Sequence, residues 1–555
     1  MSFKDLKAKR NAETARKSAI FVDLKGATSS EDTKGLYSPL DGSNLEVKAE
    51  LLTGRGLYAK ANFKPGSRLL GLNPHVCVIS ARFMQHYCSL CTSEKQVRRC
   101  TKCLKVAYCS QSCQRQDWPI HKEECIALRR WAAASPNNDP PADSIRTIAR
   151  LLWSRDFMKP DSVWWREILA MQSNRDKLSL ELQESYAHLV QSLVLYMGLS
   201  SPEALRSLGI DSAKDIINII SQFTINTFTL TSPHLNAIGI TICPLAALIN
   251  HSCAPNAVIV FPNSSQGRYP TLQVICIRPI NPGDEIVAAY VDITLPKGIR
   301  QKFLKETYAF DCKCTECIKE LALDPRDCLF CLECREGLIS TRKAQACSKC
   351  GKLGSLPDDV EAKLRLGNEG LEKAEKVQWE NPAYALSLTM NLMGLVSPLS
   401  PPTSHPRLAL MRLLQTLSIE SMSMSTKESD TSTSVDDVIR LSAQVVAALM
   451  DLLSRGHPIR GLAIATLGRL LCVDEPELPS GASIEQPFPP RGYQRLVLAK
   501  STLLRAVEEL EIGFGPGGGT LGTETRQMLE NADRELAIFE RGVRNAKESL
   551  KQTGP

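Results

Sequence analysis

The chain reads as an α+β protein of several domains: a strand-rich core split by a cysteine-dense segment, a second cysteine-rich stretch, and an all-α remainder. Three observations predict this. Eight metal-ligand residue types fall between Cys88 and Cys125 in regular pairs. Short β-rich runs punctuated by glycine and proline turns lie on both sides of that segment, near residues 46–85 and 235–295. Beyond residue 356 apolar residues recur at helical spacing, as in Val438, Leu441, Val445, Leu449 and Leu452. At 555 residues the chain should hold three or four domains.

Apolar residues make up 43% and charged residues 23%, ordinary values for a globular chain. No run approaches the ~20 apolar residues of a membrane span. The start, Met1-Ser-Phe-Lys-Asp-Leu-Lys, lacks the apolar stretch of a secretory signal. Twenty cysteines without such a signal point to reduced thiols holding metal inside the cell, in nucleus and/or cytoplasm, rather than to disulfides. The net charge of +7 is mild. Basic residues around the cysteine segment (Lys95, Arg98, Arg99, Lys102, Lys105) could meet nucleic acid, but a solvated face beside net-negative thiolate clusters accounts for them better.

In order along the chain, residues 1–45 form a polar arm. Residues 46–87 carry short strands around a Gly54-Arg55-Gly56 turn and a Lys64-Pro65-Gly66 turn. Residues 88–125 are the metal segment. Residues 126–230 read as helical, with Ile145, Ile148, Leu151 and Leu152 on one apolar face and Leu189, Leu193, Leu195 and Tyr196 on another. Residues 231–298 return to strands, including 258–261 and 272–277, and a turn at Asn281-Pro282-Gly283-Asp284-Glu285. Residues 299–355 are cysteine-rich, and 356–555 are helical with loops at 421–434 and at the glycine run 513–519. That run lacks a following Lys-Ser/Thr, which argues against a phosphate loop.

The ligand order is Cys88-x2-Cys91, Cys100-x2-Cys103, Cys109-x3-Cys113, His121-x3-Cys125. Zinc takes four soft or borderline ligands at tetrahedral corners, so eight ligands mean two ions. Twenty cysteines scattered over the chain would give roughly 0.7 C-x-x-C pairs by chance, and six are present. The order, with Tyr108 before Cys109 and Trp118-Pro119-x-His121-Lys122-x-x-Cys125 as its tail, resembles a MYND finger. The resemblance implies interleaved ions, one on Cys88, Cys91, Cys109 and Cys113, the other on Cys100, Cys103, His121 and Cys125. It also implies binding of extended, proline-rich peptide partners; the plainer alternative is a passive staple.

Three further pieces belong together: Gly54-Arg55-Gly56-Leu57, then Asn250-His251-Ser252-Cys253-x-Pro255-Asn256, then Gly283-Asp284-Glu285-Ile286-Val287-x-x-Tyr290 with Tyr308-Ala309-Phe310-x-Cys312-x-Cys314-x-x-Cys317. Their order resembles the SET methyltransferase fold, and with the finger inserted the chain resembles the SET-and-MYND lysine methyltransferases. On that resemblance, residues 46–87 and 231–298 are the two parts of SET, 126–230 a helical insertion, 299–355 the post-SET region, and 356–555 a tetratricopeptide-like helical domain. The resemblance implies an S-adenosyl-L-methionine-dependent enzyme that methylates lysine on a histone or another protein. Tyr290 would be the catalytic pore tyrosine, and Tyr308 would line the lysine channel. Asn250 and His251 would hold the cofactor, Phe310 would stack on its adenine, and Gly54, Arg55 and Gly56 would wrap its methionine end. Ser221 stands where the family commonly has Asn, two residues before Phe223-Thr224-Ile225, and puts cofactor affinity in doubt. The second reading is a non-enzymatic adaptor with a silent SET scaffold.

Cys253, Cys312, Cys314 and Cys317 make a third four-ligand set in this resemblance, tying the post-SET tail to the Asn250 loop. Cys331-x2-Cys334 and Cys347-x2-Cys350 resemble a small zinc ribbon and would hold a fourth ion, with Cys328 as a competing partner for Cys331. Cys77, Cys243, Cys276 and Cys472 read as buried apolar residues.

Overall fold

The computed structural model describes residues 35–50, 54–135, 139–177, 180–263, 269–319, 323–341, 346–352, 356–424, 434–475 and 488–552. Residues 1–34, most of the 421–434 loop, and Leu51 and Leu52 of the first strand run lie outside the described residues.

The strand region is a set of small sheets around one apolar core. Strands β1 (Leu45–Glu50) and β2 (Gly54–Ala59) form an antiparallel hairpin, Val47 opposite Leu57. A three-stranded sheet has the order β10 (Ala257–Val260), β11 (Leu272–Cys276), β3 (Arg68–Leu72). Strand β11 is buried at every position, Gln273 included, as expected of the central strand of the three. A second three-stranded sheet has the order β4 (Val76–Ile79), β8 (Ala237–Ile242), β7 (Thr227–Thr231). Gly239 belongs there because a Cβ would sit 2.1 Å from the Val78 carbonyl oxygen. Two short strands, β9 (Asn250–His251) and β12 (Val287–Ala288), pair in parallel at the centre. Leu57, Ile79, Leu230, Ile238, Leu272 and Val274 fill the space between the sheets.

The finger carries a small hairpin, β5 (Arg98–Arg99) with β6 (Ala107–Tyr108), and helix α1 (Gln111–Ala134). Ser110 caps α1 by accepting the Cys113 N–H at 3.1 Å. Helices α2 (Asp143–Met158), α3 (Val163–Leu169), α4 (Leu180–Met197), α5 (Pro202–Ser207) and α6 (Ala213–Asn226) follow. Ile145, Ile148, Leu151 and Leu152 are buried, and so are Leu193 and Tyr196. Leu195 departs from the expected face and is 59% exposed. It lies two residues from Leu193, about 200° around the helix, so it cannot share that residue's side.

Helices α7 (Lys297–Tyr308) and α8 (Thr315–Ile318) lead to a small antiparallel pair, β13 (Cys328–Phe330) with β14 (Leu338–Ser340). The remainder is an array of helices: α9 (Asp358–Val377), α10 (Pro382–Val396), α11 (Arg407–Met424), α12 (Val435–Leu452), α13 (Pro458–Leu471), α14 (Tyr493–Gly513) and α15 (Gly519–Gln552). On α12, Val438, Val445, Leu449 and Leu452 are buried as the spacing predicts, and Leu441 is half-buried at the edge of that face. Helix α11 runs on through Met424, four residues into the expected loop.

The array packs on the sheets, because Val260 and Ile275 share one apolar cluster with Leu449, Leu510 and Phe514. The glycine run makes the closest join. Gly515, Gly517, Gly518 and Gly519 all have positive φ, and a Cβ on Gly519 would lie 2.4 Å from the Pro262 oxygen. The next residue, Thr520, donates its N–H to that same oxygen at 2.8 Å.

Candidate active site and metal clusters

The central parallel pair positions the site. Beside β9, Asn250 donates from Nδ2 to the Arg55 carbonyl oxygen at 3.2 Å and to Glu285 Oε1 at 2.7 Å. Both amide protons are then used, and Oδ1 is the atom the side chain can offer a ligand. Gly56 packs against this pair: a Cβ there would meet Glu285 Oε1 at 2.5 Å. Asn256 locks the crossing segments, donating to the Glu285 oxygen at 2.8 Å and accepting the Val287 N–H at 2.9 Å. The His251 Nδ1 accepts the Tyr290 N–H at 2.9 Å.

Tyr290 and Tyr308 meet with ring centroids 4.9 Å apart, and Tyr290 donates its hydroxyl to the Ile249 oxygen at 2.7 Å. Burial pushes both phenols above their ordinary pKa, further for Tyr290, so both are neutral at physiological pH. Phe310 lies 6.0 Å from the His251 ring and 6.4 Å from Tyr308. On their far side Tyr290 and Tyr308 line a cleft of about 980 Å³. Its other lining comes from β7 (Thr227, Thr229, Thr231) and from the helical array (Ile419, Leu449, Leu462, Leu521). Two contacts join the sides, a His234–Glu524 polar contact at 2.6 Å and an Asp292–Arg412 ion pair at 3.0 Å.

The structure brings Gly54, Arg55, Gly56, Asn250, His251, Tyr290, Tyr308 and Phe310 into one region. Arg55 contributes there through its carbonyl, since its guanidinium reaches away to the Ala170 oxygen and the Tyr37 hydroxyl. Ser221 is fully buried, and its Oγ accepts the Asn174 N–H at 3.2 Å. Asn174 is a residue the sequence did not mark. Its side chain donates to the Tyr308 oxygen at 2.8 Å, joining the helical insertion to the tyrosine. The loop before it is tied down by Gln222, donating to the Leu169 and Met171 oxygens, and by Asn226, donating to the Gln172 oxygen. Only the i, i+4 spacing of Gln222 and Asn226 on a helix face hinted at a shared target.

All sixteen expected ligands gather in four sets, each with its ligand atoms within 4.8 Å of one another: Cys88, Cys91, Cys109, Cys113; Cys100, Cys103, His121, Cys125; Cys253, Cys312, Cys314, Cys317; and Cys331, Cys334, Cys347, Cys350. Thiolates ~2.3 Å from a shared zinc at tetrahedral corners stand ~3.8 Å apart. The observed Sγ–Sγ separations are 3.5 Å for Cys91–Cys109, 3.6 Å for Cys253–Cys317 and 3.8 Å for Cys331–Cys350. The residues therefore fit zinc in all four sets. Cys328 stands apart, its thiol directed at the Asp324 oxygen at 2.9 Å.

Behind the finger lies a buried charge network. Glu124 contacts His121 Nδ1 at 3.3 Å, as expected of a carboxylate orienting a ligand histidine. It also accepts from Arg146 at 2.9 Å and Arg150 at 2.5 Å. Burial favours its protonated form, but the Arg150 and Arg146 guanidiniums outweigh it and hold the carboxyl well below the usual range. Asp117 accepts from Arg150 and from the Tyr108 hydroxyl.

A family model described as the SET domain matches residues 54–291. That stretch takes in most of the split sheets, the finger and the helical insertion, and the cysteines after it and the helical C-terminal region lie outside the match. The chain is related to the N-lysine methyltransferases called SMYD2. The Rattus norvegicus protein is 30% identical over 270 residues, which is 48% of this chain and 58% of the relative. SMYD2-A of Danio rerio is 29% identical over 357 residues, 62% of this chain and 77% of that one. The chain thus matches 58% of the length of the first of these relatives. A solved structure described as the SET domain of LSMT bound to lysine and AdoHcy covers 92% of this chain and 93% of its own at 12% identity. Its TM-score of 0.35 is too loose a likeness to bear on the site. Among the described residues no helix is long and apolar enough to cross a membrane.

Proposed function

We infer that the protein is an intracellular, S-adenosyl-L-methionine-dependent protein-lysine N-methyltransferase whose substrate lysine enters the cleft beside Tyr290 and Tyr308. The observation that carries this reading is the tyrosine pair: two half-buried, neutral phenols with ring centroids 4.9 Å apart, between the cleft and the Asn250–His251 loop. S-adenosylmethionine, when bound, would supply an electrophilic methyl group for the lysine nitrogen. Everything else is asked of the protein. The lysine must be neutral, against a pKa near ~10.4 in water, and an aromatic, desolvated channel favours that form. Tyr290 has its proton fixed on the Ile249 oxygen, so its lone pairs are free to orient the amine. Asn250 Oδ1 would accept from the cofactor's amino group, the glycines of β2 would admit its methionine end, and Phe310 would stack on its adenine. No strong base is called for, and the rate comes from orientation.

The same reading includes zinc in the four clusters, proline-rich peptides as partners of the finger, and the division into arm, split SET region, finger, insertion, post-SET region and helical domain. Ser221 supports the competing adaptor reading only if the cofactor fails to bind.

Calorimetry with S-adenosylmethionine, paired with methylation assays of Tyr290→Phe, tests the proposal. A hydroxyl that acts in the transition state should affect turnover more than binding. The variant should keep cofactor affinity and lose most methylation. Methylation at the parent rate would make Tyr290 a packing residue, and no heat of cofactor binding to the parent protein would favour the adaptor.

A further inference from the structure

His251 has both ring nitrogens engaged inside the protein. Nδ1 accepts the Tyr290 N–H at 2.9 Å, and Nε2 lies 3.3 Å from Cys253 Sγ. A ring nitrogen that accepts an N–H carries no proton, so the ring proton is left on Nε2, aimed at the sulfur. The ring also stands 5.2 Å from the Tyr290 ring and 6.0 Å from Phe310. The ladder between β9 and β12 places Ala288 opposite His251, two residues before Tyr290, which fixes the span the imidazole has to bridge. Cys253 belongs to the four-thiol set with Cys312, Cys314 and Cys317. Four thiolates on one zinc carry excess negative charge and call for N–H donors around them. Arg300, 1% exposed, adds a guanidinium charge beside Cys253 and Cys317.

We propose that His251 is a positioning residue that ties the metal-binding thiolate of Cys253 to the main chain of Tyr290, so that filling the post-SET metal site and placing the pore tyrosine are one event. The inference rests on reading the four cysteines as a zinc site and Tyr290 as the pore residue. An ion drawing the four sulfurs together would fix Cys253 Sγ at its place 3.3 Å from Nε2, and through it the imidazole would be pinned in one orientation with Nδ1 presented to the Tyr290 N–H. Without the ion that sulfur is held only by its own loop.

Two substitutions separate the two ends of the ring. His251→Asn keeps an acceptor near the place of Nδ1 and has no donor that reaches Cys253; His251→Gln puts an amide N–H near the place of Nε2. The Asn variant should release one zinc equivalent to a chelating dye at least ~10-fold faster than the parent, and the Gln variant should stay within ~3-fold. In the parent, ¹⁵N-histidine spectra should show His251 as the Nε2–H tautomer. Hydrogen exchange at the Tyr290 amide should be slow in the parent and speed up in Cys314→Ser, which removes a ligand without touching His251. An Nδ1–H tautomer, unchanged zinc release from the Asn variant, or unchanged Tyr290 exchange in Cys314→Ser would each overturn the coupling. The tautomer is read on the unmodified protein, so it stands even if a variant does not fold. None of these measurements needs methyl transfer. An inactive parent enzyme would therefore defeat the proposed function, while tautomer, zinc release and amide exchange would still decide the coupling.

Discussion

The finger and the ribbon-like pair of knuckles hold their ligands at the same tetrahedral spacing, yet they are built into the protein in opposite ways. In the finger, seven of the eight ligands are buried, and the six cysteines among these share one apolar cluster with Leu90, Leu128, Ile148 and Leu152. Its helix α1 is wired to α2 through Asp117, Glu124, Arg146 and Arg150, none more than 6% exposed at the side chain. The ribbon has an exposed ligand, Cys350, and its small cluster joins Leu329 and Ile339 to Val360. Its nearby ion pairs, Glu333–Lys352 and Glu336–Lys349, are more than half exposed. Ligand geometry alone therefore says little about what a metal ion holds up. What surrounds the ligands decides it.

The largest effect should come from the finger's charge network. Arg150→Met leaves Asp117 and Glu124 buried with their main partner gone, and removing one member of a buried pair costs about 3–5 kcal/mol. Urea unfolding of the zinc-loaded protein measures this; a loss below ~1 kcal/mol would mean that the network is not what joins finger to core. Next come the ligands themselves. Cys125→Ser and Cys350→Ser should each lower the zinc count by one in metal analysis. The first should also lower the unfolding midpoint of the SET region, while the second should leave it in place. Equal shifts would erase the distinction between the two modules. The smallest effect belongs to the ribbon's surface: Glu333→Gln should give no resolvable change in midpoint or zinc count, because exposed pairs are screened by solvent.

The sequence was most legible where chemistry demands fixed spacing. The ligands of the finger could be named because zinc tolerates few residue types at fixed spacing, whereas the Asn250 loop, the two tyrosines and the post-SET cysteines were named through the resemblance to the SET-and-MYND family. Helix faces were nearly as clear, and the one failure, Leu195, came from treating neighbouring leucines as one face. Asn174 was invisible. It sits in a loop, its partners are 47 and 134 residues away, and nothing local requires an asparagine. Arg55 was visible as part of a glycine turn, but not the fact that its guanidinium would turn toward Ala170. The arginines behind the finger were hidden in an amphipathic pattern that reads Arg146 and Arg150 as solvent-facing, until buried carboxylates on α1 come to meet them.

The corner at Gly519 works as a keystone for the cleft. Helices α14 and α15 meet beside it, and the Pro262 oxygen of the sheet region holds it through the Thr520 N–H. Leu521, Glu524 and Thr525, within two turns of that corner, line the cleft opposite the sheets. A β-carbon at Gly519 would meet the Pro262 oxygen at 2.4 Å, so the first turns of α15 would have to give way, and a wall of the cleft would shift with them.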